Sequence, residues 1–177
     1  LLDLHGAPGS QNGKDHSGRA GKAEWYGRTD YQERTMRTLE RLADRYGQKP
    51  ELWGIEIMNE PMTGVSPARM SKLYWWTRDA VRALSERDKR RTQLVFSDAF
   101  VPWLWSGRIN DDRAVMDVHH YQCFSAGDKK KTLGQHEAAA AATSRQITRW
   151  QKDQPVIIGE WSLALDGKTL GVPEAQA

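Results

Sequence analysis

Trp53-Gly54-Ile55-Glu56-Ile57-Met58-Asn59-Glu60-Pro61 is an apolar run that stops on a carboxylate, and Pro155-Val156-Ile157-Ile158-Gly159-Glu160-Trp161 repeats the pattern later in the chain. Short apolar runs bounded by turn residues read as buried strands. Leu1 to Leu4, Leu52 to Met58, Gln93 to Phe96, Ala114 to Val118 and Pro155 to Ile158 give five such strands. Helical spacing fills the gaps between them. Met36, Leu39, Leu42, Ala43 and Tyr46 mark one helix, with Asp30 and Glu33 as its expected capping pair and Gly47 and Pro50 as its stop. Ser66-Pro67 opens a second helix, whose face runs through Met70, Leu73, Tyr74, Thr77, Val81 and Leu84. Thr132 to Lys152 is a third. Ser97 to Asp111, rich in Pro, Trp and Gly, has room only for a brief helix. Apolar strands alternating with helices imply an α/β protein with a parallel sheet covered by helices.

The chain has 177 residues, enough for one core, and its 38% hydrophobic and 28% charged content is that of a globular protein. A net charge of +3 with only short basic stretches, Arg87 to Arg91 and Lys129 to Lys131, argues for solvated surface and against nucleic-acid binding. No run approaches the roughly 18 apolar residues of a membrane span. The single cysteine, Cys123, excludes an internal disulfide framework and reads as a buried thiol.

In a (β/α)8 barrel the chemistry gathers at the C-terminal ends of the strands. Here those ends carry His5, Asn59-Glu60, Asp98, His119-His120-Tyr121 and Glu160-Trp161. Two carboxylates at matched strand exits suit a retaining glycosidase, which needs an acid and a nucleophile about 5 to 5.5 Å apart. Eight tryptophans against five tyrosines and three phenylalanines fit a carbohydrate ligand. Trp161, Trp103 and Trp105 lie in or beside strand-exit loops as candidate sugar platforms, whereas Trp53, Trp75, Trp76 and Trp150 are expected in the core.

Four stretches, Leu2 to Gly13, Asn59-Glu60-Pro61, His119-His120-Tyr121-Gln122 and Gly159-Glu160-Trp161, together resemble glycoside hydrolase family 5, the cellulase family, and within it the exo-β-1,3-glucanase-like members. The resemblance implies a partial (β/α)8 TIM barrel holding about strands three to seven, in a single incomplete catalytic domain over residues 1-177. It implies that Glu60 is the acid/base, its pKa raised by low polarity and a negative neighbour, and that Glu160 is the nucleophile, kept ionised by Tyr121 and a nearby cation. Asn59 would bind the sugar 2-hydroxyl, and His5 and His119 would orient carboxylates or bind hydroxyls. His120 matches the family's pattern less well than its neighbour. The implied substrate is a β-glucan or β-glucoside, with no metal or organic cofactor, no nucleic-acid or membrane partner, and an extracellular or cell-envelope location; oligomeric state is left open. Where relatives carry an aromatic and an asparagine in the first loop, this chain has Lys14 and His16. An endo-β-1,4-glucanase of the same family is the first alternative. A metal-dependent barrel hydrolase using His5, His119, His120, Glu60 and Glu160 is another, but no His-x-His or His-Glu-x-x-His spacing supports it. A non-catalytic carbohydrate-binding protein is the last.

Overall fold

The structure is a computed structural model that describes residues 1–87, 92–165 and 169–170. Of the basic stretch at 87–91, residues 88–91 lie outside it, while Arg87 forms a bidentate ion pair with Asp44. Among the described residues five strands, β1 (Leu2–Asp3), β2 (Gly54–Glu56), β3 (Gln93–Ser97), β4 (Ala114–His120) and β5 (Val156–Trp161), form one sheet in sequential order. Every neighbouring pair is parallel. Among the described residues, the α-helices α1 (Thr29–Tyr46), α2 (Pro67–Arg87) and α3 (Leu133–Trp150) occupy three of the four crossovers, and the β3–β4 connection carries only a short 3-10 turn, Pro102–Leu104. This is a curled partial barrel, as the alternation of elements implies.

Side chains alternate across a strand, and the register shows what each face carries. Leu2, Ile55, Leu94 and Ala114 stand in one row. Ile55, Leu94 and Ala114 then pack with Phe96, Met116 and Val118 against Leu39, Leu73, Leu84 and Ile147 of the helices. The opposite face begins with Asp3, Glu56, Val95 and Val115 in register and continues through Asp117 to His119 and Glu160. That face is polar where it approaches the strand exits. The strands are thus apolar outward and increasingly charged inward, which the uninterrupted look of the runs conceals.

Helix ends show which local signals decide. Ser66 accepts from the Met70 amide and Pro67 is the first residue of α2, the expected arrangement. Thr132 and Gln135 make a reciprocal capping box on α3. The expected Asp30–Glu33 cap does not form. Arg28 is the N-cap of α1 without a side-chain cap bond, and Asp30 instead accepts two hydrogen bonds from the Arg28 guanidinium. A bidentate charged fork outcompetes a cap from the same carboxylate.

The tryptophans sort differently from expectation. Trp105 is only 4% exposed and packs against Phe96, so it belongs to the core. Trp53 and Trp75 are about half exposed, whereas Trp76 meets the fully buried Trp25 edge to face. Trp103 and Trp161 stay open, at 65% and 63% exposure. Cys123 is partly exposed rather than buried.

Between β4 and β5 the register slips. Asp117 pairs with Ile157 but His119 pairs with Glu160, so β5 spends three residues where β4 spends two. This is a β-bulge at Ile158 and Gly159, placed immediately before Glu160.

Candidate active site

The loop after β1 is built first, because it fixes the exit of β2. Gln11 is fully buried; its Oε1 accepts from the Ala7 amide, and its Nε2 donates to the carbonyls of His5 and Asn59. The Asn59 amide in turn donates to the Leu4 carbonyl, and the Met62 amide to that of Gln11. Gly9 has φ +73°, and a Cβ there would strike the Tyr31 ring, so the turn requires glycine. These bonds clamp the segment that carries Glu60. Glu60 itself has φ +40°, a left-handed conformation that is uncommon for glutamate and that clusters at functional sites when the surroundings enforce it.

Glu60, His119 and Glu160 converge. His119 Nδ1 lies 2.8 Å from Glu60 Oε1 and 3.3 Å from Glu160 Oε2, and one carboxylate oxygen of each glutamate falls within 4.8 Å of the other. Tyr121 donates its hydroxyl to Glu160 Oε2 at 3.0 Å. Burial, reinforced by Glu160, pushes the Tyr121 pKa up to about 12, so the phenol keeps its proton as a donor. His5 holds Asp3 through Nδ1 at 2.6 Å, and its Nε2 faces the Asn59 amide nitrogen at 3.4 Å. A carboxylate only accepts, so Nδ1 carries the proton and a neutral His5 can accept from Asn59.

Of the expected site residues, Glu60, His119, Glu160 and Tyr121 are joined by direct contacts, while His5 and Asn59 pair with each other beside them and His5 reaches Glu60 by way of the His16 ring. Trp161 stands one residue beyond Glu160 on the exposed edge strand. His120 alternates to the other side of β4, near Lys131, where burial lowers its pKa. His16 is a member that the sequence suggested only as an oddity. Its Nε2 is 3.6 Å from Glu60 Oε2, Asn12 lies 3.0 Å from the same nitrogen, and its ring meets His5 edge to face.

The electrostatics correct one expectation. Glu60 was expected to have a raised pKa; hydrogen bonding to His119 instead lowers it. Burial would lower the His119 pKa, but Asp117, Glu60 and Glu160 outweigh it and push it up to about 10. His119 is therefore the cation expected beside Glu160. His119 and Glu60 hold one proton between them, which is a property of the pair rather than of either residue.

Below this pair lie more acids. Glu56 is 3% exposed with Oε1 unpartnered, and burial, helped by Asp3 and Asp117, raises its pKa to about 8. Burial raises Asp98 to about 7. A raised folded-state pKa means stability that is complete below the ordinary carboxylate range and declines as pH climbs toward the raised value. At about 1.4 kcal/mol per pKa unit the loss is a few kcal/mol. Glu56→Gln should flatten the thermal-stability profile, leaving Tm nearly unchanged near pH 4 and raising it by roughly 5 °C or more near pH 9. Parallel profiles in calorimetry would show that Glu56 titrates normally.

Two donor trios could hold a divalent ion among the described residues, Glu60–His119–Glu160 and Glu56–Asp117–His119, each with its ligand atoms within 4.8 Å. Both need His119: the first would take the Nδ1 that bonds Glu60, whereas the second can use Nε2, which faces Asp117 Oδ2 at 3.4 Å, and leaves the Nδ1–Glu60 bond in place. A cavity of about 220 Å³ beside the loop after β3, lined by Tyr74, Val101, Leu104 and Trp105, contains neither converging glutamate.

The profile of the family described as Cellulase (glycosyl hydrolase family 5) matches residues 1–176. The chain belongs to glycosyl hydrolase family 5. Its similarity extends to a probable glucan 1,3-beta-glucosidase A of Aspergillus niger, 39% identical over 168 residues, covering 93% of this chain and 39% of that protein. The enzyme of the same name from Emericella nidulans is 36% identical, covering 97% and 44% respectively. The chain thus spans about two fifths of the length of these family 5 relatives. A crystal structure of rutinosidase from Aspergillus niger superposes with TM-score 0.77 at 18% identity, over 92% of this chain and 49% of that one. At that identity the likeness speaks for the fold, and it agrees with a partial family 5 barrel. Among the described residues no helix is long and apolar enough to cross a membrane.

Proposed function

We propose that residues 1-177 belong to a single glycoside hydrolase catalytic domain, of which they form a part, and that its site cleaves β-glucans or β-glucosides with retention at the anomeric carbon. The observation that carries this reading is the approach of the Glu60 and Glu160 carboxylates to within 4.8 Å, the spacing that lets one sugar ring meet both. Glu160 attacks the anomeric carbon and forms a glycosyl ester. The proton shared by His119 and Glu60 passes from Glu60 to the departing glycosidic oxygen, since a bound sugar that excludes water favours the neutral form of the pair. Glu60, now a carboxylate, takes a proton from water as that water attacks the ester. Tyr121 keeps its bond to Glu160, and Asn59 binds the 2-hydroxyl, where hydrogen bonds strengthen in the transition state.

The 1,3-linkage preference is supported by the names of the two glucosidases above, both probable glucan 1,3-beta-glucosidases. An extracellular or cell-envelope setting suits a polymeric glucan that cannot enter a cell. Trp161 and Trp103, both exposed, are the remaining sugar platforms. Proton NMR of the hydrolysis of an aryl β-glucoside, run with EDTA present, tests the proposal. The expected first product is the β-anomer, with turnover unaffected by the chelator. An initial α-anomer contradicts the mechanism, and loss of turnover in EDTA assigns the donor trio to a metal.

A further inference from the structure

The bulge in β5 leaves a backbone amide without a place in the parallel ladder, and a side chain takes it. Gly159 donates its N–H to Asp117 Oδ1 at 2.6 Å. Asp117 is 1% exposed, so this charge-assisted bond forms away from water, where it is strongest. The other oxygen, Oδ2, faces His119 Nε2 at 3.4 Å, the side of the ring opposite Glu60. Position 159 is closed to any side chain, because a Cβ built there would overlap the Asp117 carboxylate. One acid therefore fixes the backbone just before Glu160 and braces the imidazole that lies between the two glutamates.

We infer that Asp117 is a positioning residue for Glu160: by holding the Gly159 amide at the β5 bulge it sets the direction in which the Glu160 carboxylate points. The inference rests on the proposed glycosidase reading for its kinetic consequence, and on the bulge alone for its structural one. Bulges beside active sites re-aim side chains, and misplacing a reacting group by about 1 Å costs on the order of 100-fold in rate. Holding His119 is a second effect of the same carboxylate, and because that ring touches Glu160 as well as Glu60, it is told apart by changing the charge facing His119 while keeping an oxygen for the Gly159 amide.

Two substitutions in the full chain separate the effects. Asp117→Asn keeps a carbonyl oxygen for Gly159 but removes the charge facing His119; Asp117→Ala removes both. The probe is 2,4-dinitrophenyl β-glucoside, whose leaving group needs no acid, so its glycosylation rate reads the aim of the nucleophile. Asp117→Ala is expected to lose about 100-fold in kcat/KM on this substrate, and Asp117→Asn less than about 10-fold. In ¹⁵N–¹H spectra the Gly159 amide proton should lie downfield in the parent and in Asp117→Asn, and shift upfield in Asp117→Ala. The inference is overturned if Asp117→Ala loses rate only on unactivated glucosides, or if Asp117→Asn falls as far as Asp117→Ala. Should the parent release no dinitrophenol, the glycosidase reading fails, and the Gly159 amide and Glu160 carboxyl resonances decide the positioning role. Resonances unchanged in Asp117→Ala overturn it.

Discussion

Glu160→Ala is expected to abolish hydrolysis of an aryl β-glucoside by at least about 10⁴-fold while leaving the fold intact. Glu160 is partly exposed near the end of β5, and among the described residues its carboxylate accepts from Tyr121 and faces His119 at 3.3 Å, so truncation removes little packing. The loss is therefore chemical. Azide, small enough to enter the space vacated by the carboxylate, should restore turnover and give the α-glycosyl azide, because it attacks from the face that Glu160 used. A β-glycosyl azide would assign the opposite role to Glu160.

Glu60→Ala should divide substrates by leaving group. Dinitrophenyl glucoside should still glycosylate the enzyme, since its departing phenolate needs no proton, whereas unactivated glucosides should slow by about 10² to 10⁴-fold. Deglycosylation also loses its base, so the activated substrate should show a burst followed by a slow steady state. Azide, attacking the accumulated ester, should accelerate that second phase and yield the β-glycosyl azide. Equal losses on all substrates, without a burst, would show that Glu60 does not act on the leaving group. This substitution also frees His119 from its shorter carboxylate contact and leaves it facing Glu160 at 3.3 Å.

The sequence made the strands and the two glutamates legible for one physical reason. A buried parallel strand must be apolar on the face that meets the helices, so a charged residue at its exit stands out against the run. Glu60 and Glu160 are such residues, and Tyr121, His119, His5 and Asn59 follow from the motifs around them. What stayed hidden depends on contacts between segments distant in sequence. Asp117 and Glu56 lie inside apolar runs and look like interruptions, until the register places them on the inner face beside His119. Gln11 carries no motif that announces a brace, although it binds the carbonyls of both His5 and Asn59. Trp105 looked like a platform because its neighbourhood is loop-like, yet its ring closes over Phe96. The lowered pKa of Glu60 was illegible for the same reason, since it depends on a histidine 59 residues away. The bulge in β5 has no sequence signature beyond Gly159, whose lack of a side chain admits the Asp117 carboxylate.

The departure at Lys14 and His16 acquires a consequence from the geometry. His16 stands 3.6 Å from Glu60 on the side opposite His119, so the loop supplies a polar neighbour where relatives were expected to place other groups. It contributes to holding Glu60 in its charged form in the resting site.

In the proposed mechanism Glu160 becomes covalently bonded to the sugar while Glu60 does not. Incubation with 2-deoxy-2-fluoroglucosyl fluoride, followed by proteolysis and mass spectrometry, tests it most directly. A stable adduct of one fluoroglucosyl unit is expected on the peptide containing Glu160, with the bond mapped to that carboxylate. An adduct on Glu60, or inactivation without any covalent mass, would contradict it.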